Sequence, residues 1–148
     1  MLDKELVLSS AIAMVTSKLA GIQSEFDALH EALLSETKSS AGDKHETGRA
    51  MAQLEQEKLS RQLAETRKTL DGFRQIDPKK EFTQIAFGSL VKTNRGYFFV
   101  SVGIGQIKVK NASVFCITAG SPLGQKILNK SAGEVVQMNG PLTIEEIG

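Results

Sequence analysis

The segment SSAGDKHETGRA, residues 39–50, places two carboxylates three positions apart where a helical pattern restarts. Asp43 and Glu46 carry oxygen atoms of the kind that Mg²⁺ prefers as ligands, although two exposed side chains cannot fill an octahedral coordination shell. The pair could complete a site that another protein half builds. A second Mg²⁺ held there would activate water for in-line attack on a phosphodiester. Asp43 and Glu46 are therefore our candidate catalytic residues and metal ligands.

The same two residues also fit a purely structural role. In a capping box, Asp43 would accept hydrogen bonds from the first amides of a helix, and Glu46 would bond back to the backbone at the cap. The local sequence supports this interpretation as well as it supports metal binding. His45 lies between the two acids, and on an exposed turn we interpret it as a solvated neighbour rather than a proton carrier.

Two heptad patterns flank this segment and predict the elements that must position it. In each, the seam residues recur at alternating steps of four and three, which is the pattern of a coiled coil. A long helix with one apolar stripe cannot bury that stripe alone, so we predict that residues 1–77 form an antiparallel two-helix coiled-coil hairpin with its tip at about residues 39–46. A three- or four-helix bundle ranks lower, because no third helix of comparable length follows. The first seam is Leu8, Ile12, Val15, Leu19, Ile22, Phe26, Leu29 and Leu33, and the second is Leu59, Leu63, Thr66, Leu70 and Phe73.

The pattern changes after Asp77-Pro78, because proline disfavours helix at the residue before it. Beyond this point, short runs rich in β-branched and aromatic residues alternate with turns that contain glycine or asparagine. One short helix interrupts them, with Ser121 as its N-cap and Pro122 at its first position. Residues 78–148 are thus predicted to form a small α+β domain. The predicted strands are FTQIAFGSLVKT, GYFFVSVG, GQIKVK, SVFCIT, GEVVQM and PLTIEEI.

Composition and charge restrict the class of protein. The formal net charge of +1 gives no reason to expect non-specific binding to nucleic acid. Residues 1–41 carry six acids and three bases, whereas residues 78–148 carry four acids and eight bases, which suits a charged macromolecular surface as partner. The single cysteine, Cys116, excludes an internal disulfide and indicates a reducing compartment. No stretch approaches the roughly 18 unbroken apolar residues of a membrane span. We expect a cytoplasmic protein that does not enter a membrane.

Several short motifs resemble, in their order, those of the Gre-type (GreA and GreB) transcript cleavage factors of bacterial RNA polymerase. Residues 42–46, GDKHE, match the family's tip motif G-D-x-x-E. Residues 85–91, IAFGSLV, are similar to its first C-terminal strand. The segments SPLG at 121–124, ILNK at 127–130 and GEVV at 133–136 follow its S-P-[IL]…G-K…G-[DE]-x-V signature. The resemblance runs along nearly the whole chain.

This resemblance implies a fold and a mechanism. The fold would be α+β, with the antiparallel coiled-coil hairpin followed by a small FKBP-like antiparallel β domain with one short helix. That domain would dock at the rim of the polymerase secondary channel through Ser121 and Pro122, and the hairpin would enter the channel. Asp43 and Glu46 would help to hold a second Mg²⁺, shared with the polymerase and not bound stably by this chain alone, while water cleaves a backtracked transcript.

The same resemblance implies the class of protein. It would be a transcription elongation and regulation factor of bacteria that stimulates the polymerase's own hydrolysis and is not itself an enzyme. The protein would interact with nascent RNA and with DNA only indirectly, through the polymerase. We expect a monomer.

The sequence also departs from the family pattern and leaves alternatives open. Thr47-Gly48-Arg49-Ala50 stand where the family usually has N-A-E-Y. One alternative is therefore a regulator or inhibitor that occupies the channel without stimulating cleavage, with Asp43 acting only as a cap. Another is a coiled-coil adaptor that does not bind polymerase. A peptidyl-prolyl isomerase, suggested by the FKBP-like fold, ranks last because the aromatic residues of the domain are accounted for as its core.

Overall fold

The computed structural model describes the backbone of residues 1–37 and 43–148, and the side chains of residues 1–35 and 47–148. Two long helices come first, α1 at Lys4–Thr37 and α2 at Asp43–Arg74. Asp3 starts α1, because its carboxylate accepts a hydrogen bond from the Glu5 amide at 3.0 Å. No proline interrupts either helix, and the predicted helical region is confirmed.

The contacts divide the chain into two compact units, residues 14–70 and residues 1–13 together with 71–148. The first unit contains most of both helices. The second contains the start of α1, the end of α2 and everything that follows. The boundary that we placed between residues 77 and 78 follows the change from helix to strand and stays a prediction.

Within the unit 14–70, the two helices bury the predicted seams against each other. Val15 and Leu33 are buried on α1, and Leu59 and Leu63 are buried on α2. Two contacts show that the helices are antiparallel, because the residue nearer the N-terminus of α1 pairs with the residue nearer the C-terminus of α2. His30 Nδ1 lies 3.0 Å from Gln56 Nε2, and Gln23 Oε1 accepts from Arg67 at 3.1 Å. The hairpin of helices is confirmed.

A six-stranded sheet forms the centre of the other unit, with strand order β3-β4-β2-β1-β6-β5. A short helix, α3 at Pro122–Ile127, lies between β4 and β5 in sequence. The predicted α+β fold is confirmed. The strands are β1 at Leu90–Thr93, β2 at Gly96–Val100, β3 at Gly105–Val109, β4 at Ala112–Ile117, β5 at Val135–Gln137 and β6 at Pro141–Ile147.

Two details of the predicted sheet are wrong. The sheet is mixed rather than antiparallel. Strand β4 lies between β3 and β2 and runs parallel to β2, with Phe98 opposite Phe115. The first strand also begins later than the run FTQIAFGSLVKT suggested. Gly88 has a φ of +94°, which breaks an extended backbone and which glycine adopts without strain. Strand β1 consequently starts only at Leu90.

Both faces of the sheet are covered within this unit. Phe98 belongs to a core that includes Ile127 of α3 and Ile144 of β6. Phe99, its neighbour on the strand, points to the opposite face, where its ring stacks on Phe73 of α2 with centroids 6.5 Å apart. Both Phe73 and Phe99 are fully buried.

Candidate functional site

The two candidate metal ligands lie at the start of α2. The helix begins at Asp43, and Glu46 belongs to its first turn. The side chains of both residues lie outside the described part of the chain, so their roles as catalytic residues and metal ligands stay predictions. Among the described side chains, no group of three or more histidine, cysteine, aspartate or glutamate residues could hold a metal ion.

The described residues that follow the tip show how α2 is oriented there. Arg49, Ala52 and Gln56 are half-buried and continue the seam towards Asp43 in steps of three and four. Met51 and Leu54, in contrast, are 68% and 64% exposed. These two residues therefore lie out of register with the seam. Near the tip, the seam of α2 therefore contains polar residues, and the two large apolar side chains of this stretch are exposed.

Polar contacts accompany the apolar seam in this part of the hairpin. The His30 ring stacks on Phe26 at a centroid separation of 6.2 Å and hydrogen-bonds to Gln56 across the seam. Hydrogen bonds between exposed groups add little net free energy, on the order of 1 kcal/mol each or less. These contacts therefore add little to the stability that the buried seam residues supply.

Ser121 and Pro122, the candidate docking residues, form the N-terminus of α3. Ser121 has an extended backbone, and its hydroxyl accepts from the Gly124 amide at 3.0 Å, so the predicted N-cap is confirmed. The same hydroxyl donates to the Thr118 carbonyl at 2.8 Å, which ties the cap to the preceding loop. Pro122 follows at the first helical position and is exposed. Docking by these residues stays a prediction.

The loop before α3 packs unusually close to the helix. A Cβ atom placed on Gly124 would lie 2.1 Å from the Thr118 carbonyl oxygen and 2.9 Å from the Ala119 carbonyl group. The absence of a side chain at Gly124 therefore lets the helix lie directly on the backbone of this loop. The orientation of Ser121 and Pro122 depends on this contact.

Sequence reasoning missed the role of Lys4. Its side chain is only 8% exposed, its ammonium donates to the Lys80 carbonyl, and it lies 4.9 Å from the centre of the Phe82 ring. Burial lowers the pKa of Lys4 from its ordinary value of 10.5, while Glu81 and Asp77 act in the opposite direction. A lysine in the first turn of a helix gave no signal of burial, because its partners are distant in sequence.

Cys116 is buried on β4 and is not part of any candidate site. Burial raises the pKa of its thiol from 9.0 to about 11, opposed by a hydrogen bond with Ser101. At pH 8 only on the order of one thiol in a thousand is therefore ionised in the folded state. We expect iodoacetamide to label Cys116 at pH 8 only after unfolding in urea, as measured by mass spectrometry.

The same shift has a consequence for stability. A raised pKa in the folded state means that folding favours the neutral thiol, so its stabilising contribution is complete below pH 9 and is lost as the pH rises towards about 11. In the labelling experiment with iodoacetamide, rapid reaction of the folded protein at pH 8 would contradict the buried position of Cys116.

One helix in the described part of the chain, residues 4–35 within α1, is long and apolar enough to cross a membrane by length and composition alone. This differs from the expectation that no segment resembles a membrane span. The core helix of a water-soluble protein meets the same criterion, and in this chain the seam of α1 packs against α2.

The comparisons with known proteins give one structural match. No family model and no curated protein matches this chain. A solved structure, described as "Structure of the transcription factor Gfh1", aligns over 93% of this chain and 93% of its own, with 15% sequence identity and a TM-score of 0.36.

Proposed function

We propose that this chain is a bacterial transcription factor of the Gre type that binds RNA polymerase. The observation that supports this most is the order of its parts. Residues 43–46 of the GDKHE motif open α2, the second helix of an antiparallel hairpin, and the capped Ser121-Pro122 turn belongs to the α+β unit. These are the elements on which the motif resemblance depends. The protein would act in the cytoplasm as a monomer, and it would not be an enzyme by itself.

In the proposed mechanism, each part has a separate task. The unit with the sheet would hold the protein on the rim of the polymerase secondary channel through Ser121 and Pro122. The hairpin would carry the tip into the channel, where Asp43 and Glu46 fit Mg²⁺ by the chemistry of their oxygen donors. Bound Mg²⁺ would activate the water that cleaves a backtracked transcript. This chain's contribution would be to position the two carboxylates, and the polymerase would supply the remaining ligands.

The experiment uses a backtracked elongation complex of the cognate RNA polymerase with a labelled transcript. We expect the wild-type protein to accelerate Mg²⁺-dependent shortening of the RNA. Asp43→Asn and Glu46→Gln should each reduce that acceleration at least about tenfold, because loss of even an outer-shell partner of a metal typically costs 10–100-fold. Glu57→Gln is the matched control, since Glu57 is an exposed acid further along the same helix.

Two results would contradict the mechanism. Equal cleavage by the wild type and both tip variants would assign Asp43 and Glu46 to capping alone. Absence of polymerase binding in the same preparation would exclude the function and favour the coiled-coil adaptor. Sedimentation over a range of protein concentrations then tests whether the hairpin is a surface for self-association.

A second candidate function is a regulator that occupies the channel without stimulating cleavage. Its support is Arg49, which stands three residues after Glu46 and is half-buried on the seam side of α2. A guanidinium this close to the tip reduces the negative potential that attracts Mg²⁺. This function predicts slower nucleotide addition by the polymerase, with no shortened RNA and no effect of Asp43→Asn.

A further inference from the structure

Strand β3 forms one outer edge of the six-stranded sheet. In the described part of the chain, it pairs with β4 on one side and with no strand on the other. The turn between β3 and β4 fixes which backbone groups point outwards. Lys110 and Asn111 have φ values of 48° and 65°, as in a two-residue hairpin turn, so Val109 before the turn is hydrogen-bonded to β4. Because this bonding alternates along the strand, the amides and carbonyls of Gln106 and Lys108 point away from β4.

This outer side of β3, which we call the β3 edge, is open. The side chains of Gln106 and Lys108 are exposed on one face of the sheet, whereas Ile107 and Val109 are buried on the other. Among the described residues, no hydrogen bond from outside the β3–β4 pair reaches the backbone of Gln106 or Lys108. Their amides and carbonyls can therefore pair with an added strand, as in the β-augmentation of a sheet edge.

The part of the chain that contains this edge carries charge of one sign. Residues 82–133, which include β1 to β4 and α3, contain six basic residues and no aspartate or glutamate. Two of these bases, Lys108 and Lys110, are exposed on β3 and its turn. The acids on the strands are Glu145 and Glu146 of β6, and three strands separate β6 from β3. At about 4.8 Å per strand spacing, this distance exceeds a Debye length of about 10 Å, so these acids do not neutralise the edge.

Helix α2 does not reverse this charge. It lies beside the loop between β2 and β3, because a Cβ atom placed on Gly72 would lie 2.7 Å from Val102. The helix carries Asp71 there, but Lys68 and Arg74 stand within one turn on either side. Its contribution beside the loop is therefore also positive.

We propose that the β3 edge binds an extended segment of a partner protein in which every second residue is acidic, added as a further strand of the sheet. Opposed residues of neighbouring strands share a face, so an acidic side chain in this segment would lie beside the Lys108 ammonium. A second copy of this chain would instead bring lysines to both strands, and like charges facing each other destabilise a strand pair. The inference does not depend on the proposed function, since neither the tip nor the Ser121-Pro122 turn contributes to the β3 edge.

The test is an NMR titration of the full chain, labelled with ¹⁵N, against three blocked pentapeptides. The first is Thr-Glu-Val-Glu-Thr, the second has lysine in place of both glutamates, and the third is the first peptide with both glutamate amides N-methylated. We expect the first peptide to bind saturably at roughly millimolar concentrations. At saturation it should slow solvent exchange of the Gln106 and Lys108 amides about tenfold or more, whereas the Ile107 amide, already bonded to β4, should change little.

The other two peptides separate charge from backbone pairing. The lysine peptide should bind at least about threefold more weakly than the first, because its charges meet Lys108 and Lys110. The N-methylated peptide keeps both carboxylates but cannot donate to the edge, so it should give no protection of Gln106 or Lys108. Equal binding by the lysine peptide, or equal protection by the N-methylated one, would overturn the proposal.

One variant with a matched control localises the binding. Lys108→Glu should reverse the preference, so that the lysine peptide binds more tightly than the glutamate peptide. Lys79→Glu changes another exposed lysine of the same unit, outside the sheet, and should leave the preference unchanged. Without peptide, slower exchange of the Gln106 and Lys108 amides as the protein concentration rises would assign the edge to a second copy and overturn the proposal. The absence of any saturable change with the first peptide would overturn it as well, leaving the lysines as protection of a bare edge.

Discussion

Replacing Gly124 with alanine is expected to lower the free energy of unfolding by roughly 2 to 3 kcal/mol, although alanine is the better helix former. The added methyl group would overlap the Thr118 carbonyl oxygen at 2.1 Å and the Ala119 carbonyl group at 2.9 Å. These are backbone atoms, so no side-chain rotation relieves the overlap and α3 must move away from the loop. That movement stretches both hydrogen bonds of the Ser121 hydroxyl, to Thr118 and from Gly124.

Gly120→Ala is the matched control, because Gly120 belongs to the same loop and a Cβ placed there has no atom within 4 Å. Urea denaturation followed by circular dichroism compares the two variants with the wild type. We expect Gly120→Ala to unfold with the wild-type midpoint and Gly124→Ala to unfold at a clearly lower urea concentration. Equal midpoints for both variants would mean that α3 does not lie as close to the Thr118 loop as described.

The seams and the α3 cap could be predicted because they depend on residues close together in sequence. Leu59, Leu63 and Leu70 repeat with the period of the helix, and Ser121 caps amides only three positions away. Even Thr66, a polar residue in the seam, fits this logic, since its hydroxyl donates to the Gln62 carbonyl one helical turn earlier at 2.7 Å. Local periodicity therefore accounts for the two long helices, and a local cap accounts for the short helix of the sheet unit.

The errors concern features that depend on distant residues. The alternation of β2 and β4 is the same whether they pair parallel or antiparallel, so the side chains of Phe98 and Phe115 give no sign of direction. The run from Phe82 to Ser89 contains residue types that favour strands. Gly88 nevertheless turns the backbone, and its amide donates to the Val100 carbonyl. Nothing near Lys4 in sequence indicates Lys80 as its partner.

Residue types and spacing made Asp43 and Glu46 a candidate site, but they could not separate metal binding from capping. A pair of acids at the start of a helix satisfies the rules for a cap and the rules for half a metal site equally well. The two possible roles of Asp43 and Glu46 can be distinguished only by the groups that another molecule brings to them. Ser121, in contrast, could be placed from the sequence alone, because it caps the helix that directly follows it.

Replacing Leu63 with alanine is expected to lower the free energy of unfolding of the hairpin by about 2–5 kcal/mol, the usual cost of truncating a buried leucine. Leu63 is 6% exposed and lies in the tightly packed half of the seam. Leu54→Ala is the matched control, because it changes the same residue type on the same helix at a position that is 64% exposed. Its effect should stay within about 0.5 kcal/mol.

Thermal and urea unfolding of the two variants distinguishes the two sides of α2. If Leu54→Ala destabilises the protein as much as Leu63→Ala does, the helix is rotated relative to the described seam, and Met51 would share that rotation. If only Leu63→Ala destabilises it, Leu63 faces α1 and Leu54 faces solvent, as the exposure of the two side chains indicates. The cooperative unfolding of the hairpin then depends on the buried seam of α2, which Leu63 represents.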